Sequence, residues 1–327
     1  MSIAAVVPVW NGRPLVERLI ASLERQTQPA SEILIIDNGS TDGAPELARQ
    51  HGARVIKMGC NAGFAMAVNR GIRECRAEWI AVLNSDVELA PDYFAILART
   101  DAWFATGKIL STGSPNHIDG TFDAICRGGT AWRVGAGRPD GKYFQQSRRI
   151  ASAPWTAALF RAELFGRVGF LEERFESYLE DVDFGMRCAA QGMDGFYDST
   201  AVAWHRGSAT LGRWHKETVR RIARNQIFLL ARHYPTAVCA RWFWPILCAH
   251  LLWGVVATRH GAGLAWLHGV SQGIRGFSAT PRGAAPIDAK VLESLLRSGE
   301  RTIREVQAST GYDAYWRLYF LLTAGGA

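Results

Sequence analysis

The six cysteines of this 327-residue chain, at positions 60, 75, 126, 188, 239 and 248, form no CxxC pair and no dense framework. That excludes a zinc ribbon or a disulfide scaffold and fits the reduced, mostly buried thiols of a cytosolic protein. No GxGxxG follows the first apolar run and no GxxxxGK[ST] occurs anywhere, so dinucleotide and P-loop readings are weak. There is no internal repeat and no low-complexity tract. The apolar start at Ile3 is short and is broken by Pro8 and Asn11, which argues against a signal peptide. Acid is scarce in one segment. Residues 206–282 hold eleven Lys or Arg and a single acid, Glu217, leaving 26 of the 37 bases against 29 of the 30 acids elsewhere. The net charge of +7 therefore comes from this segment. Such a patch suits nucleic acid, anionic lipid or a phosphorylated substrate, unless it is merely a solvated face.

What is present reads as a globular α/β chain, with 48% hydrophobic and 20% charged residues. Ile3 to Val9, Glu32 to Asp37, Arg54 to Met58 and Trp79 to Leu83 are apolar runs of strand length. Helical spacing follows the first, at Leu15, Leu19, Ile20 and Leu23. A second helix runs to about Gln50, and a small-residue helix spans Asn61 to Cys75. Strand and helix alternate with short links, which predicts a mostly parallel sheet flanked by helices. A helix is expected over 91–104, a fifth strand over 108–112, and loops from 115 to 150. Further strands are expected at 194–197 and 201–204. A division at residue 235 separates this part, with halves 1–112 and 113–235, from a helical region over 236–327.

The run Trp79-Ile80-Ala81-Val82-Leu83 ends in Asn84-Ser85-Asp86. A carboxylate at the carboxyl end of a central strand sits where open α/β sheets bind ligands, and it can hold a divalent cation against a diphosphate. The bland alternative is a turn cap. Asp37 ends the second strand in the same way and can accept from a ribose or a base N–H, or cap the next helix. Asn61 and Asn69 offer amides, and Gly63 allows a close approach. Pro154 to Phe160, with Trp155, has the small residues to floor a sugar pocket. Glu180, Asp181 and Asp183 open a helix, where its dipole stabilises acids whatever their use. His205 closes an apolar run and precedes Arg206-Gly207-Ser208, whose polar groups suit phosphate oxygens. His117 and Asp119 have no partner spacing and read as surface loop.

The motifs VPVWN, ILIIDNGSTDG, NAGFAMAVNRGI and WIAVLNSDVEL, in this order and spacing, resemble the donor-binding half of family 2 glycosyltransferases, and EDVDFGMR resembles the family's ED motif. The likeness covers about residues 3 to 235. It implies a GT-A fold and inverting transfer from a nucleotide-diphosphate sugar. It also implies Mg²⁺ or Mn²⁺ at Asp86, completed by His205. By it, Pro8, Val9, Asn11, Asp37, Asn61 and Asn69 surround the nucleotide sugar, with Asn84, Ser85, Arg206 and Ser208 near the sugar and diphosphate. Asn84 stands where many members carry Asp, so the metal falls to Asp86. Asp181 is then the base, since transfer needs a group that takes the acceptor hydroxyl proton, while Glu180 and Trp155 meet the acceptor. Members of this layout are often rhamnosyltransferases of cell-surface polysaccharide assembly. The expected donor is therefore dTDP-rhamnose and the acceptor a glycan or lipid-linked hydroxyl at the cytoplasmic membrane face. Nucleic acid is not an expected partner; a homodimer is compatible. A nucleotidyltransferase and a non-catalytic nucleotide or nucleic-acid binding protein are the rival classes.

The segment from Ala240 to Thr258 is apolar, with Arg241 its only formal charge, and contains Pro245 and His250. Its uncharged part falls just short of the ~20 residues of a spanning helix. With Gly263 to Phe277 it reads as an interfacial helix pair carrying Trp242, Trp244, Trp253 and Trp266. The alternative is a packed helical subdomain or a dimer face.

Overall fold

The computed structural model describes residues 1–207, 214–280 and 287–324. They divide into two compact units. One holds residues 1–122, 135–184 and 193–207; the other holds 123–134, 185–192 and the chain from 208 onward. The expected linear boundary at 235 is replaced by a division in which two inner segments group with the carboxyl-terminal helices.

In the first unit the chain opens β1 (Ile3–Val9), α1 (Arg13–Glu24), β2 (Glu32–Asp37), α2 (Ala44–Gln50), β3 (Arg54–Lys57), α3 (Phe64–Glu74) and β4 (Trp79–Leu83). Next come β5 (Val87–Leu89), α4 (Tyr93–Leu97), β6 (Phe104–Ser111) and β7 (Ser114–Gly120). The short strands β8 (Asp123–Ile125) and β9 (Ala131–Arg133) belong to the second unit. The first unit resumes with β10 (Arg148–Ile150), β11 (Ala157–Arg161), α5 (Ala162–Val168), the start of α6 (Glu180–Ala190) and β12 (Gly195–His205). The sheet order is β10-β12-β6-β11-β4-β1-β2-β3, with β5 added to β12 and β7 to β6. β3, β2, β1 and β4 run parallel, as the short βα links require. β11 is antiparallel to both β4 and β6.

Burial explains the register. Every residue of β4 is buried, as its unbroken apolar run demands. Gly71 lets α3 lie close on the sheet: a Cβ there would stand 2.3 Å from Val6 Cγ1. Four expectations are corrected. The helix over 91–104 is realised only as α4, because the Thr100 hydroxyl accepts from the Ala102 N–H and turns the chain. β6 begins at Phe104, not 108; the polar Thr106-Gly107-Lys108 hid it, yet the Thr106 hydroxyl donates to Ala157 O at 3.0 Å and Lys108 pairs with Asp140 at 3.0 Å. The two strands expected over 194–204 are one, β12, broken only by a bulge between Asp198 and Val202. Residues 115–150, expected as loops, contribute β7 and β10 to the sheet.

The second unit adds α7 (Lys216–His233), α8 (Thr236–Arg241), α9 (Phe243–Arg259), α10 (Gly263–Gly276), α11 (Ala289–Thr310) and α12 (Ala314–Leu322). β8 and β9 pair as a hairpin held against α11: the Arg127 guanidinium donates to Glu300 at 2.8 Å, and Tyr319 of α12 donates to the same carboxylate at 2.6 Å. Among the described residues no helix is long and apolar enough to cross a membrane.

Candidate active site

The turn after β4 leads straight into β5, and β5 pairs antiparallel with the end of β12, Val87 opposite His205. This pairing brings Asp86 to His205, 119 positions later in the chain. His205 Nε2 lies 3.0 Å from Asp86 Oδ1, and the backbone N–H of Arg206 donates to Asp86 O at 3.1 Å. The Asn84 amide nitrogen stands 3.4 Å from the same Nε2. On its other side His205 Nδ1 meets Asp119 Oδ2 at 2.8 Å. β6 supplies the link, pairing Ser111 with His205 on one edge and Leu110 with Ile118 on the other. Asp119, read from sequence as surface loop, is thus the imidazole's second partner. Its only sequence signal was a place in a strand too polar to recognise.

Burial pushes the His205 imidazole down, but its hydrogen bonds to Asp119 and Asp86 more than reverse this and raise it to about 9. The two carboxylates favour the charged form of the ring, and an ion bound at Nε2 would displace the proton there. Among the described residues no three His, Cys, Asp or Glu side chains converge as a ready metal cage. Two do fit as a partial one. Neighbouring ligands of a six-coordinate ion at about 2.1 Å stand about 3.0 Å apart, which is the Asp86–His205 separation. A half-buried carboxylate and an imidazole held by a second carboxylate are a donor set a divalent ion accepts.

The expected nucleotide residues gather at the ends of β1 and β2. Asp37 is buried, and its Oδ1 accepts from the Ser40 N–H at 2.8 Å. Asn11, at φ 61°, accepts from the Thr41 N–H at its side-chain oxygen and donates its own backbone N–H to the Ser40 hydroxyl. It thereby fastens the β1 end to the loop after β2. Pro8 and Val9 lie in β1 opposite Ile36 and Asp37. Asn61 is exposed and accepts from the Gly63 N–H at 3.2 Å. Ser85 is half-buried and Arg206 exposed. Ser208 lies outside the described residues. Asn69 is spent elsewhere: its amide donates to Leu171 O and Glu173, and accepts from the Leu171 N–H.

The acids at the head of α6 are Glu180, Asp181 and Asp183, all buried. Asp181 Oδ1 accepts from the Val182 N–H at 2.9 Å. The approach to this helix is strained. Glu176, Tyr178 and Leu179 all have positive φ, at 60°, 73° and 68°, a conformation side chains pay for and that clusters at functional sites. Glu176 O accepts from the Ala65 N–H at 3.0 Å. A Cβ on Gly63 would stand 3.2 Å from that oxygen. Trp155 is 2% exposed, its ring 4.5 Å from Phe160 and 5.0 Å from Phe184. It packs the base of α6 and does not present a face to an acceptor as expected. The segment leading to β11 ties both acidic sites together. Thr156 O accepts from the Asn84 N–H at 2.9 Å, and the Ser152 hydroxyl donates to Asp181 O at 3.3 Å. Four residues of chain span at most about 14 Å, so the tip of β4 and the head of α6 stand at one end of the sheet.

Residues 4–168 match the profile of glycosyl transferase family 2. The chain belongs to this family. Over 264 residues it is 30% identical to an N-acetylglucosaminyl-diphospho-decaprenol L-rhamnosyltransferase of Mycobacterium tuberculosis, covering 70% of this chain and 84% of that protein. A putative glycosyltransferase, EpsH, of Bacillus subtilis is 32% identical over 104 residues, 30% of each chain. Among solved structures, GalNAc-T7 with UDP, GalNAc and Mn²⁺ superposes with a TM-score of 0.60 at 12% identity, over 88% of this chain and 58% of that one. The mannosyltransferase PcManGT from Pyrobaculum calidifontis, in complex with GDP-Man and Mn²⁺, gives 0.51 at 16% identity, over 98% and 86%. The fold is thus GT-A, and the chain, as a member of family 2, is a glycosyl-transferring enzyme.

Proposed function

We propose that this glycosyltransferase moves a deoxyhexose, with dTDP-L-rhamnose the first donor to test, onto a hydroxyl of a polyprenyl-diphosphate-linked sugar in cell-surface polysaccharide synthesis at the cytoplasmic membrane face. The Asp86–His205–Asp119 array carries the reading. It supports a site for the donor diphosphate and its ion at the mouth of the sheet. The relative from Mycobacterium tuberculosis, named for a lipid-diphosphate acceptor and L-rhamnose, supports the substrate classes.

In this reading Asp86 and His205 hold Mg²⁺ or Mn²⁺. When bound, the ion offsets the charge that grows on the departing diphosphate. Asp119 keeps the His205 ring turned toward it. Asp37, Pro8, Val9, Asn11 and Asn61 line the nucleotide end, and Asn84, Ser85 and Arg206 the sugar and diphosphate. Asp181 takes the proton of the acceptor hydroxyl as its oxygen bonds the anomeric carbon. The bond from that carbon to the diphosphate breaks on the opposite face, so the configuration inverts. Glu180 orients the acceptor. Both carboxylates are buried, which strengthens their hold on a hydroxyl once water is excluded.

The test is nucleoside diphosphate release from a panel of nucleotide sugars with Mn²⁺ or Mg²⁺, in the presence of polyprenyl-diphospho-N-acetylglucosamine. dTDP-L-rhamnose should give a glycosylated lipid with inverted configuration. Turnover of a different donor only would overturn the donor assignment. Turnover confined to a lipid-free acceptor would overturn the acceptor class.

A further inference from the structure

Three helices of the second unit lie side by side with α9 in the middle. Trp266 of α10 packs where a side chain on Gly254 would stand, 2.7 Å away. From the other side, Tyr315 of α12 donates to Ala249 O at 3.1 Å and the Trp244 ring N–H donates to Leu322 O at 2.8 Å. Each helix buries one face and leaves an apolar stripe in solvent. On α9 the stripe is Trp244, Leu251 and Val255, seven and four residues apart. On α10 it is Leu264, Leu267 and Ile274, with Leu264 85% exposed. On α12 it is Leu318, Leu321 and Leu322, with Leu321 72% exposed. Apolar stripes on three adjoining helices are more than the scattered leucines of an ordinary surface.

The charges on these helices are of one sign. α9, α10 and α12 contain no Asp or Glu. Arg259, Arg275 and Arg317 are exposed on them, and none has an ion-pair partner among the described residues. We propose that the α9–α10–α12 face is a docking surface for an anionic lipid bilayer, with the stripes entering the acyl boundary and the arginines at the headgroups. A second copy of this chain is the less suitable occupant, since a two-fold contact would set unpaired arginines against arginines. No described helix can span the membrane, so attachment is to one leaflet. The inference deepens the lipid-linked acceptor reading, because such an acceptor is presented at a bilayer surface.

The full chain is sedimented with phosphatidylcholine vesicles, with and without phosphatidylglycerol. It should pellet with the anionic vesicles and at least about tenfold less with the neutral ones. Leu264→Glu and Leu321→Glu should each lower partitioning about tenfold or more, with melting temperature and donor hydrolysis unchanged. A chain that stays in the supernatant with both vesicles overturns the proposal, as do variants that bind like the parent. So does a stable dimer that Leu264→Glu dissociates. Donor hydrolysis without vesicles is read separately. Vesicle binding without hydrolysis would sink the transferase chemistry and leave the docking surface standing. Hydrolysis without vesicle binding would do the reverse.

Discussion

Asp119 acts on His205, a residue proposed to hold the ion. It holds His205 Nδ1 at 2.8 Å, which leaves Nε2 aimed at Asp86. An outer carboxylate of this kind fixes the ring and raises its basicity, and its loss typically costs 10–100-fold in metal affinity. Asp119→Asn should therefore weaken Mn²⁺ binding by about that factor, measured by titration of the free protein, and raise the Mn²⁺ concentration for half-maximal rate more than it lowers kcat at saturating metal. Asp119→Glu should restore part of the affinity. Unchanged Mn²⁺ affinity in Asp119→Asn would show that the carboxylate only fills space. Asp86 was legible because it ended an unbroken apolar strand. Asp119 was not, because Ser114-Pro115-Asn116-His117 has no apolar alternation, and only pairing with β6 makes it a strand. Asn69 and Trp155 misled for the opposite reason. An amide and an indole in a motif look available, but the chain at 171–173 and the Phe160–Phe184 cluster claim them.

At the scale of elements, α3 and the approach to α6 lock into each other. The carbonyl of Glu176 satisfies an N–H in the first turn of α3, a donor that has no partner within the helix. Gly63 permits the contact twice over, by its φ of 89° and by the 3.2 Å clearance. Gly63→Ala should therefore destabilise the first unit by about 1–3 kcal/mol in denaturant unfolding. It should also slow transfer beyond what the lost folded fraction explains, since the loop before Asp181 would shift. A variant with the parent's stability and rate would show that the loop is not held there. The parallel βα units were readable from hydrophobic period and turn residues alone. The strands after residue 104 were not, because β6, β7 and β10 carry polar residues whose partners are remote in sequence, such as Asp140 for Lys108.

At the scale of the whole chain, the second unit is assembled from segments far apart. Arg127, between β8 and β9, meets Glu300 of α11, 173 positions on; both are buried, and Tyr319 adds a third contact. Breaking one partner of a buried pair strands the other charge, at a cost of about 3–5 kcal/mol. Glu300→Gln should lower stability by roughly that amount, and the double change Arg127→Met, Glu300→Leu should recover much of it. Equal losses in the single and double variants would contradict the account. No sequence pattern announced this pair, since a hairpin of three-residue strands inside a glycine-rich stretch is visible only once α11 covers it.

In the proposed mechanism one acid grips the donor's end and another, at the head of α6, takes a proton. The direct measurement is donor binding and single-turnover transfer for Asp181→Asn beside the parent, with Mn²⁺ and the same nucleotide sugar. The account predicts an unchanged donor Kd and a transfer rate lower by about 10²–10⁴-fold. An Asp181→Asn enzyme that transfers at the parent's rate would contradict it.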